Sequence, residues 1–233
     1  HRFANEPVIL NGKDRSTMYW DFLRLFHELK TGITRAGIMQ GRSGADISSI
    51  GVDTWGVDYG LLGRDGMLLS SPVHYRDSRT EGMLKKAFSR MDRERLYEIT
   101  GSQFMEINTA FQLMAEQEYR EELLEQAESM LLMPDLFSYF LSGEMGSEYT
   151  IASTTQMLDA VKKDWSGEVL EGLGLPSRIL KPVLMPGTRL GSLRDEICRE
   201  LGIGPMDVIA VAGHDTQSAM AAVPAETDDF LFL

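Results

Sequence analysis

Cysteine, positive charge and long apolar runs are all scarce in this 233-residue sequence. The single cysteine, Cys198, cannot form a disulfide within the chain, which fits a reducing compartment, and we expect a cytoplasmic protein. Lys and Arg total 23 against 35 Asp and Glu, giving a net charge of -12. This balance argues against a nucleic-acid or anionic-membrane partner, which would need clustered Lys and Arg. No apolar run reaches the roughly 20 residues that span a bilayer.

The motifs of several enzyme classes are also missing. The sequence has no Gly-x-x-x-x-Gly-Lys-[Ser/Thr] loop for nucleotide phosphates, no Gly-x-Gly-x-x-Gly at a helix start, and no Gly-x-Ser-x-Gly in the loop predicted at 41–46. The four histidines stand far apart along the chain, which disfavours a zinc site, although distant histidines can converge in space. What remains is a site of carboxylates, glycines and polar residues at strand ends.

One apolar stretch carries acidic residues and glycines. Residues 50–52 and 57–62 are predicted to be two buried strands of a hairpin, and 67–69 can return as a third strand. Asp53 and Asp58 fall in this hairpin, where carboxylates need partners because an unpaired buried charge is very costly. They either belong to a site that the glycine backbone approaches closely or cap the turns of a purely structural hairpin.

Apolar spacing and turn residues place the other elements. Further strands are predicted at 8–10 and 208–212. Helices are predicted at 17–36, 92–99, 109–141, 151–158 and 192–201. Ser192 is expected to cap the last of these helices. Ser78 and Glu81 have capping-box spacing, so another helix should begin there.

Several polar residues stand in positions that require an explanation. His74, Arg76 and Asp77 precede the helix expected at Ser78, where they either line a cleft at the end of a sheet or form a surface Arg–Asp cluster. Asp135 lies inside an apolar run. It therefore needs a partner there, such as a helix N-terminus or a backbone group.

The buried strand at 208–212 runs into Gly213, His214, Asp215 and Thr216. A strand, a glycine and polar residues at a helix N-terminus form a common place for chemistry. An Asp in this position can accept a proton from a substrate hydroxyl. The alternative is that Asp215 or Thr216 merely caps the helix.

The segments 50–59, 74–80, 132–139, 148–150 and 213–216 together resemble the FGGY carbohydrate kinase family, and within it the branch that acts on L-rhamnulose. The resemblance runs over the whole chain. It implies an α/β fold, a ribonuclease-H-like lobe of the actin/hexokinase type. The implied activity is ATP-dependent phosphorylation of L-rhamnulose to L-rhamnulose 1-phosphate in L-rhamnose catabolism, with a small-molecule ketose as the partner.

The resemblance also implies that the chain is cut at both ends. Residues 1–222 would be most of the N-terminal, sugar-binding lobe, without the family's first phosphate-binding hairpin. Residues 223–233, which end in an apolar run, would begin the C-terminal, nucleotide-binding lobe. ATP and Mg²⁺ would then be bound mainly by parts outside this chain, which is expected to be inactive alone.

Matching the family's motifs by position gives the expected site. Asp215 is the implied catalytic base, which takes the proton of the sugar hydroxyl as its oxygen attacks the γ-phosphorus. His214 and Thr216 match positions that contact the sugar. Asp215 is also expected to bind the substrate, together with His214 and Thr216 on either side of it.

Four more substrate-binding residues are expected on other segments. Gly56 matches the backbone position that approaches the sugar, and Trp55 beside it is an apolar wall. Asn108 and Arg76 are candidates because they fall near the expected cleft.

Three alternatives stay open at this stage. The protein could phosphorylate another ketose, or the chain could be a non-catalytic sugar-binding or interaction module. Asp53, Asp58 and Asp215 could instead hold two metal ions for phosphodiester hydrolysis, although the acidic balance disfavours a nucleic-acid substrate.

Overall fold

The structure, a computed structural model, describes residues 1–43, 47–225 and 227. It mixes helices with short strands. The helices are α1 (Phe22–Ser43), α2 (Met83–Arg90), α3 (Arg93–Thr100), α4 (Thr109–Tyr119), α5 (Glu121–Gln126), α6 (Met133–Ser142), α7 (Tyr149–Ala152), α8 (Gly167–Leu173), α9 (Asp195–Leu201) and α10 (Asp215–Ala221). The strands are β1 (Val8–Asn11), β2 (Ser16–Tyr19), β3 (Ser49–Ile50), β4 (Tyr59–Leu62), β5 (Ser129–Leu132), β6 (Ser147–Glu148), β7 (Leu158–Asp159), β8 (Asp164–Trp165), β9 (Val183–Leu184), β10 (Thr188–Ser192) and β11 (Asp207–Ala210).

Strand β11 organises the part of the fold that carries the site. It confirms the strand predicted at 208–212, and it lies between β10, to which it is antiparallel, and β3, to which it is parallel. Asp207 is aligned with Ser49 and Val208 with Ile50. Because β3 and β11 run in the same direction, the segments that follow them emerge side by side at one edge of the sheet.

The hairpin predicted from 50–52 and 57–62 is wrong. Strand β4 pairs antiparallel with β5, about 70 residues further along the chain, and not with β3. The third strand expected at 67–69 is reduced to a single bridge between Leu62 and Leu68. The glycine-rich turns in the sequence favoured pairing between neighbouring strands. In the structure β3 and β4 each pair with a strand that is distant in the chain, β11 and β5 respectively.

Two predicted helices had the wrong extent. Residues 16–19 form β2, which pairs with β1, so the helix predicted at 17–36 begins at Phe22 and runs to Ser43. It thereby takes in part of the predicted loop at 41–46, of which 44–46 lie outside the described residues. Strand β5 interrupts the helical region predicted at 109–141, and all four of its residues are buried. A short, wholly apolar run fits a buried strand as well as a buried helix.

The predicted caps also moved. Ser192 ends β10, and α9 begins at Asp195 without a side-chain cap. Ahead of α2, Asp77 and not Ser78 accepts the backbone N–H of Arg79. The helix predicted at 151–158 is the short α7 followed by a 3₁₀ turn and β7. Ser192 is thus part of a strand, and Asp77 has the capping role that the spacing assigned to Ser78.

The interior is built around β4, β5 and α4. The largest fully buried side chains include Leu62, Met130, Leu132 and Phe111. Helix α4 is buried from Thr109 to Glu116, so its polar side chains must find partners inside the protein. Among the described residues no helix is both long enough and apolar enough to cross a membrane.

Candidate active site

Two backbone segments meet at the edge of the sheet where β3 and β11 end. The N–H of Thr54 donates to the carbonyl of Gly213, and the N–H of Asp215 donates to the carbonyl of Thr54, both at 2.9 Å. These bonds form a parallel bridge between Thr54 and His214 that continues the pairing of the two strands. They place Gly56 beside His214, although 158 positions separate the two residues in the chain.

A cleft of about 420 Å³ opens at this meeting point. Five predicted site residues line it: Trp55, Gly56, Asn108, His214 and Asp215. Seven other residues line it that the sequence reasoning missed: Val57, Tyr75, Ser102, Gln103, Met105, Ile107 and Thr154. Aromatic and aliphatic surfaces therefore lie beside a few amide, hydroxyl and carboxylate groups, a combination typical of small-molecule sites.

Asp215 presents an open carboxylate to this cleft. It is the first residue of α10, and its side chain is 56% exposed. One carboxylate oxygen accepts the backbone N–H of Thr216 at 2.7 Å and lies 3.5 Å from Nε2 of His214. The other ring nitrogen of His214 contacts the side-chain oxygen of Gln217. The carboxylate is thus oriented by its own helix while remaining free to accept a proton from a bound hydroxyl.

Thr216 and Arg76 are not among the residues that line the cleft. Thr216 is exposed, and its contribution is the backbone N–H that orients Asp215. The guanidinium of Arg76 lies over the ring of Tyr75, 5.2 Å from the ring centre, so it supports a lining residue. Each is adjacent in sequence to a lining residue, Asp215 or Tyr75, and the sequence could not tell which way its side chain points.

Asn108 lines the cleft but uses its amide nitrogen within the protein. Its side chain is almost completely buried. Nδ2 donates to the carbonyl of Gln103 at 2.9 Å and to the side-chain oxygen of Gln156 at 2.8 Å. Asn108 therefore fixes one wall of the cleft, which includes Gln103.

Asp58 holds the aromatic wall from behind. Its buried carboxylate accepts hydrogen bonds from Nε1 of Trp20 at 2.6 Å, Nε1 of Trp55 at 3.0 Å, the backbone of Tyr75 at 3.2 Å and Nε2 of Gln112 at 3.0 Å. Burial raises the pKa of Asp58, and these four donors oppose the rise. Because two of the donors belong to lining residues, Asp58 shapes the cleft without entering it.

His74 and Asp77 also belong to the scaffold and not to the cleft lining. His74 is buried and stacks on Trp20 with ring centres 4.0 Å apart, and burial lowers its pKa. Asp77 pairs with Arg15 at 2.8 Å and not with its neighbour Arg76. The surface Arg–Asp cluster that the sequence allowed is therefore replaced by a long-range pair.

The backbone beside the cleft is tightly constrained. A Cβ added to Gly56 would lie 3.1 Å from Cγ2 of Thr154 and 3.3 Å from Nε2 of His214, which leaves little room for a side chain. The next residue, Val57, has a φ of 67°, a region that β-branched residues rarely adopt. Its N–H donates to the hydroxyl of Thr154, and its carbonyl accepts from Thr109. Strain of this kind persists only where the surroundings enforce it, as they do here.

The geometry does not support the alternative in which Asp53, Asp58 and Asp215 hold two metal ions. Asp53 is exposed, whereas Asp58 is buried among N–H donors that satisfy its carboxylate. Across residues 1–43, 47–225 and 227, no group of three or more His, Cys, Asp or Glu side chains could hold a metal ion. These residues therefore do not fit a resident Mg²⁺ site.

Asp135 is a buried carboxylate. One of its oxygens accepts the backbone N–H of Glu148 at 3.1 Å, which is the backbone contact expected from the sequence. The other oxygen has no hydrogen-bond partner among the described residues. Burial raises the pKa of Asp135 well above its ordinary value of 3.8, and the nearby Glu148 carboxylate adds to the rise.

We expect Asp135→Asn to make the protein less sensitive to rising pH. Because the folded state holds the proton of Asp135 more tightly than the unfolded state, the stability due to this group is complete below pH 3.8 and is lost as pH rises toward the raised pKa. In that window the free energy of unfolding falls by about 1.4 kcal/mol per pH unit. Asn mimics the neutral acid and removes this dependence. Urea unfolding of both proteins from pH 4 to 8 measures the difference, and a difference that is constant with pH would contradict the expectation.

Comparison with known proteins finds carbohydrate kinases both by family and by individual relatives. Residues 4–222 match the family described as the FGGY family of carbohydrate kinases, N-terminal domain. A rhamnulokinase from Bacteroides thetaiotaomicron is 41% identical over 233 residues, which is all of this chain and 46% of that protein. A rhamnulokinase from Oceanobacillus iheyensis is 40% identical over 226 residues, or 97% of this chain and 46% of that protein. The chain thus spans less than half the length of these curated relatives.

Solved structures share the fold at much lower identity. The xylulose kinase from Rhodospirillum rubrum superposes with a TM-score of 0.82 at 14% identity, covering 93% of this chain and 45% of that one. The Plasmodium falciparum glycerol kinase with ADP gives a TM-score of 0.76 at 16% identity, covering 93% of this chain and 44% of that one. The expected α/β, ribonuclease-H-like fold class is confirmed by these neighbours.

Proposed function

The chain belongs to the FGGY family of carbohydrate kinases, and we propose that the whole protein uses ATP to phosphorylate L-rhamnulose, giving L-rhamnulose 1-phosphate and ADP. The proposed substrate rests on the rhamnulokinases that are 40% and 41% identical to nearly the whole chain. We also propose that residues 1–222 form the sugar-binding lobe and that 223–233 begin the nucleotide-binding lobe. Most of that second segment lies outside the described residues.

The open carboxylate of Asp215 is the observation that carries the proposal. In the proposed reaction the ketose lies in the cleft with its C1 hydroxyl toward Asp215. The carboxylate takes the hydroxyl proton while the sugar oxygen forms a bond to the γ-phosphorus of ATP. The bond from that phosphorus to the β–γ bridging oxygen breaks, and its electron pair stays with ADP.

The other lining residues would position the sugar. Nε2 of His214 lies 3.5 Å from the carboxylate and can contact a neighbouring hydroxyl. The ring of Trp55, fixed by Asp58, offers an apolar surface to the C–H face of the sugar. Gly56 lets the backbone approach the ligand. Such positioning matters in phosphoryl transfer because holding the reactants in line supplies much of the rate enhancement.

Mg²⁺ bound with the nucleotide neutralises phosphate charge in kinases. The described residues of this chain supply no acidic cluster to hold it. The proposed role of the chain is therefore confined to the sugar and to the proton that leaves its hydroxyl.

Turnover by the full-length protein on a panel of sugars tests this function. ADP release is measured with L-rhamnulose, L-fuculose, D-xylulose and D-ribulose, and with glycerol as a polyol that is not a ketose. We expect the highest kcat/KM with L-rhamnulose and a 1-phosphate product by phosphorus NMR. Faster turnover of another ketose would retain the kinase and reassign its substrate. Absence of turnover on every sugar would contradict the kinase and favour the non-catalytic sugar-binding module.

A further inference from the structure

A buried carboxylate connects α7 to the segment that carries Asp215. Glu148 is 2% exposed, and Oε2 accepts the N–H of Gly213 at 2.9 Å, the N–H of Ile151 at 3.1 Å and the hydroxyl of Thr150 at 2.6 Å. Its Oε1 accepts the N–H of Thr150 at 2.9 Å. The hydroxyl of Thr150 in turn accepts the N–H of His214 at 3.2 Å. Glu148 and Thr150 thus bind two consecutive backbone N–H groups directly ahead of Asp215.

The same segment is also held by the backbone of Thr54. Thr54 bonds to the carbonyl of Gly213 and to the N–H of Asp215. Space around Gly213 is fully used, since an added Cβ would lie 3.0 Å from Oε2 of Glu148 and 3.0 Å from Cγ of Pro134. The backbone of residues 213–215 is therefore held by hydrogen bonds to Thr54, Glu148 and Thr150.

We propose that Glu148 and Thr150 are positioning residues for phosphoryl transfer, which set where the Asp215 carboxylate sits relative to the sugar hydroxyl. The proposal rests on the proposed function, in which Asp215 is the proton acceptor. Neither side chain lines the cleft, so both act through the 213–215 backbone. A displacement of about 1 Å in a catalytic group can cost on the order of 100-fold in rate, so the effect falls on kcat more than on KM.

Thr150→Val in the full-length protein tests the proposal, with Thr150→Ser as the matched control. Valine keeps the size of threonine but removes the hydroxyl that accepts from His214 and donates to Glu148. We expect kcat to fall by about 10-fold or more, with KM changing by less than about 3-fold. Serine restores the hydroxyl and is expected to keep kcat within about 2-fold of wild type. Glu148→Gln is less suitable, since it also disturbs the start of α7.

A double-mutant cycle separates positioning from general damage. Because Thr150 acts through Asp215, Thr150→Val should reduce the residual turnover of Asp215→Asn by less than about 2-fold. A full additional loss in that background would overturn the proposal, as would wild-type kcat in Thr150→Val or failure of serine to restore it. If the wild-type protein turns over no ketose, the proposed function fails, and the positioning role falls with it. Unfolding midpoints measured on all variants verify that the compared proteins are folded.

Discussion

Asp215→Asn in the full-length protein is expected to lower kcat for L-rhamnulose by about 10²–10⁴-fold, the usual contribution of a positioned proton acceptor. Asparagine preserves the size of the side chain and can still accept the Thr216 N–H that orients it. It cannot take a proton from the sugar hydroxyl. Since proton transfer belongs to the transition state, the loss should appear in kcat while KM changes little. Initial rates of ADP release over a range of ketose concentrations separate the two constants.

Asp195→Asn is a closely matched control for that experiment. Asp195 is also an exposed first residue of a seven-residue helix, so its replacement removes a negative charge from a helix N-terminus in the same way. It does not line the cleft, and its variant should keep wild-type turnover. Near-normal kcat in Asp215→Asn would remove Asp215 as the base, whereas an equal loss in both variants would point to a general effect of the substitution.

The centre of this site is predictable because its signals are local. The apolar run at 208–212, Gly213 after it and the polar residues that open α10 are neighbours in sequence, and the structure keeps that order. The proposed role of Asp215 as a base came mainly from resemblance to a family, since the local pattern alone also allowed a helix cap. Gly56 and Trp55 reach the same cleft because β3 and β11 are parallel neighbours.

The walls of the cleft could not be predicted in the same way. Gln103 approaches it from a loop and Thr154 from the 3₁₀ turn after α7, and neither stands in a pattern that points to a ligand. The pairing of β4 with β5 was missed for a related reason, because strand partners depend on which buried faces match across long stretches of chain. Arg76 was expected near the cleft but does not line it, whereas Arg79, three positions later, is buried.

Arg79 leads to a second large effect, on stability. Its guanidinium pairs with Glu116 in the interior, where the two side chains are 4% and 3% exposed. It also donates to the side-chain oxygen of Gln112 at 2.7 Å, and Gln112 donates to Asp58, which holds Trp55 in the cleft wall. The ion pair therefore lies at the inner end of a hydrogen-bonded chain that ends at the site.

Glu116→Gln is expected to lower the free energy of unfolding by about 3–5 kcal/mol. The substitution leaves the charge of Arg79 buried without its counter-ion, and the desolvation cost of that charge is no longer offset. The measurement is denaturant unfolding followed by circular dichroism, with the midpoint and slope compared to wild type. Because the slope reports the surface exposed on unfolding, an unchanged slope assigns the shift in midpoint to stability.

Glu118→Gln provides the comparison on the same helix. Glu118 pairs with Lys86, but the two side chains are 40% and 46% exposed, and pairs in water contribute less than about 1 kcal/mol. Both substitutions remove one negative charge from α4. Because Glu116 also lies 3.5 Å from Arg120, the difference between the two variants reports the loss of both charge pairs of the buried Glu116. A loss in Glu116→Gln no larger than that of the control would mean that Gln112 and the surrounding polar groups solvate Arg79 well enough without the carboxylate. The chain from Arg79 to Trp55 would then be held by neutral hydrogen bonds, and the ion pair would not be what fixes the cleft wall.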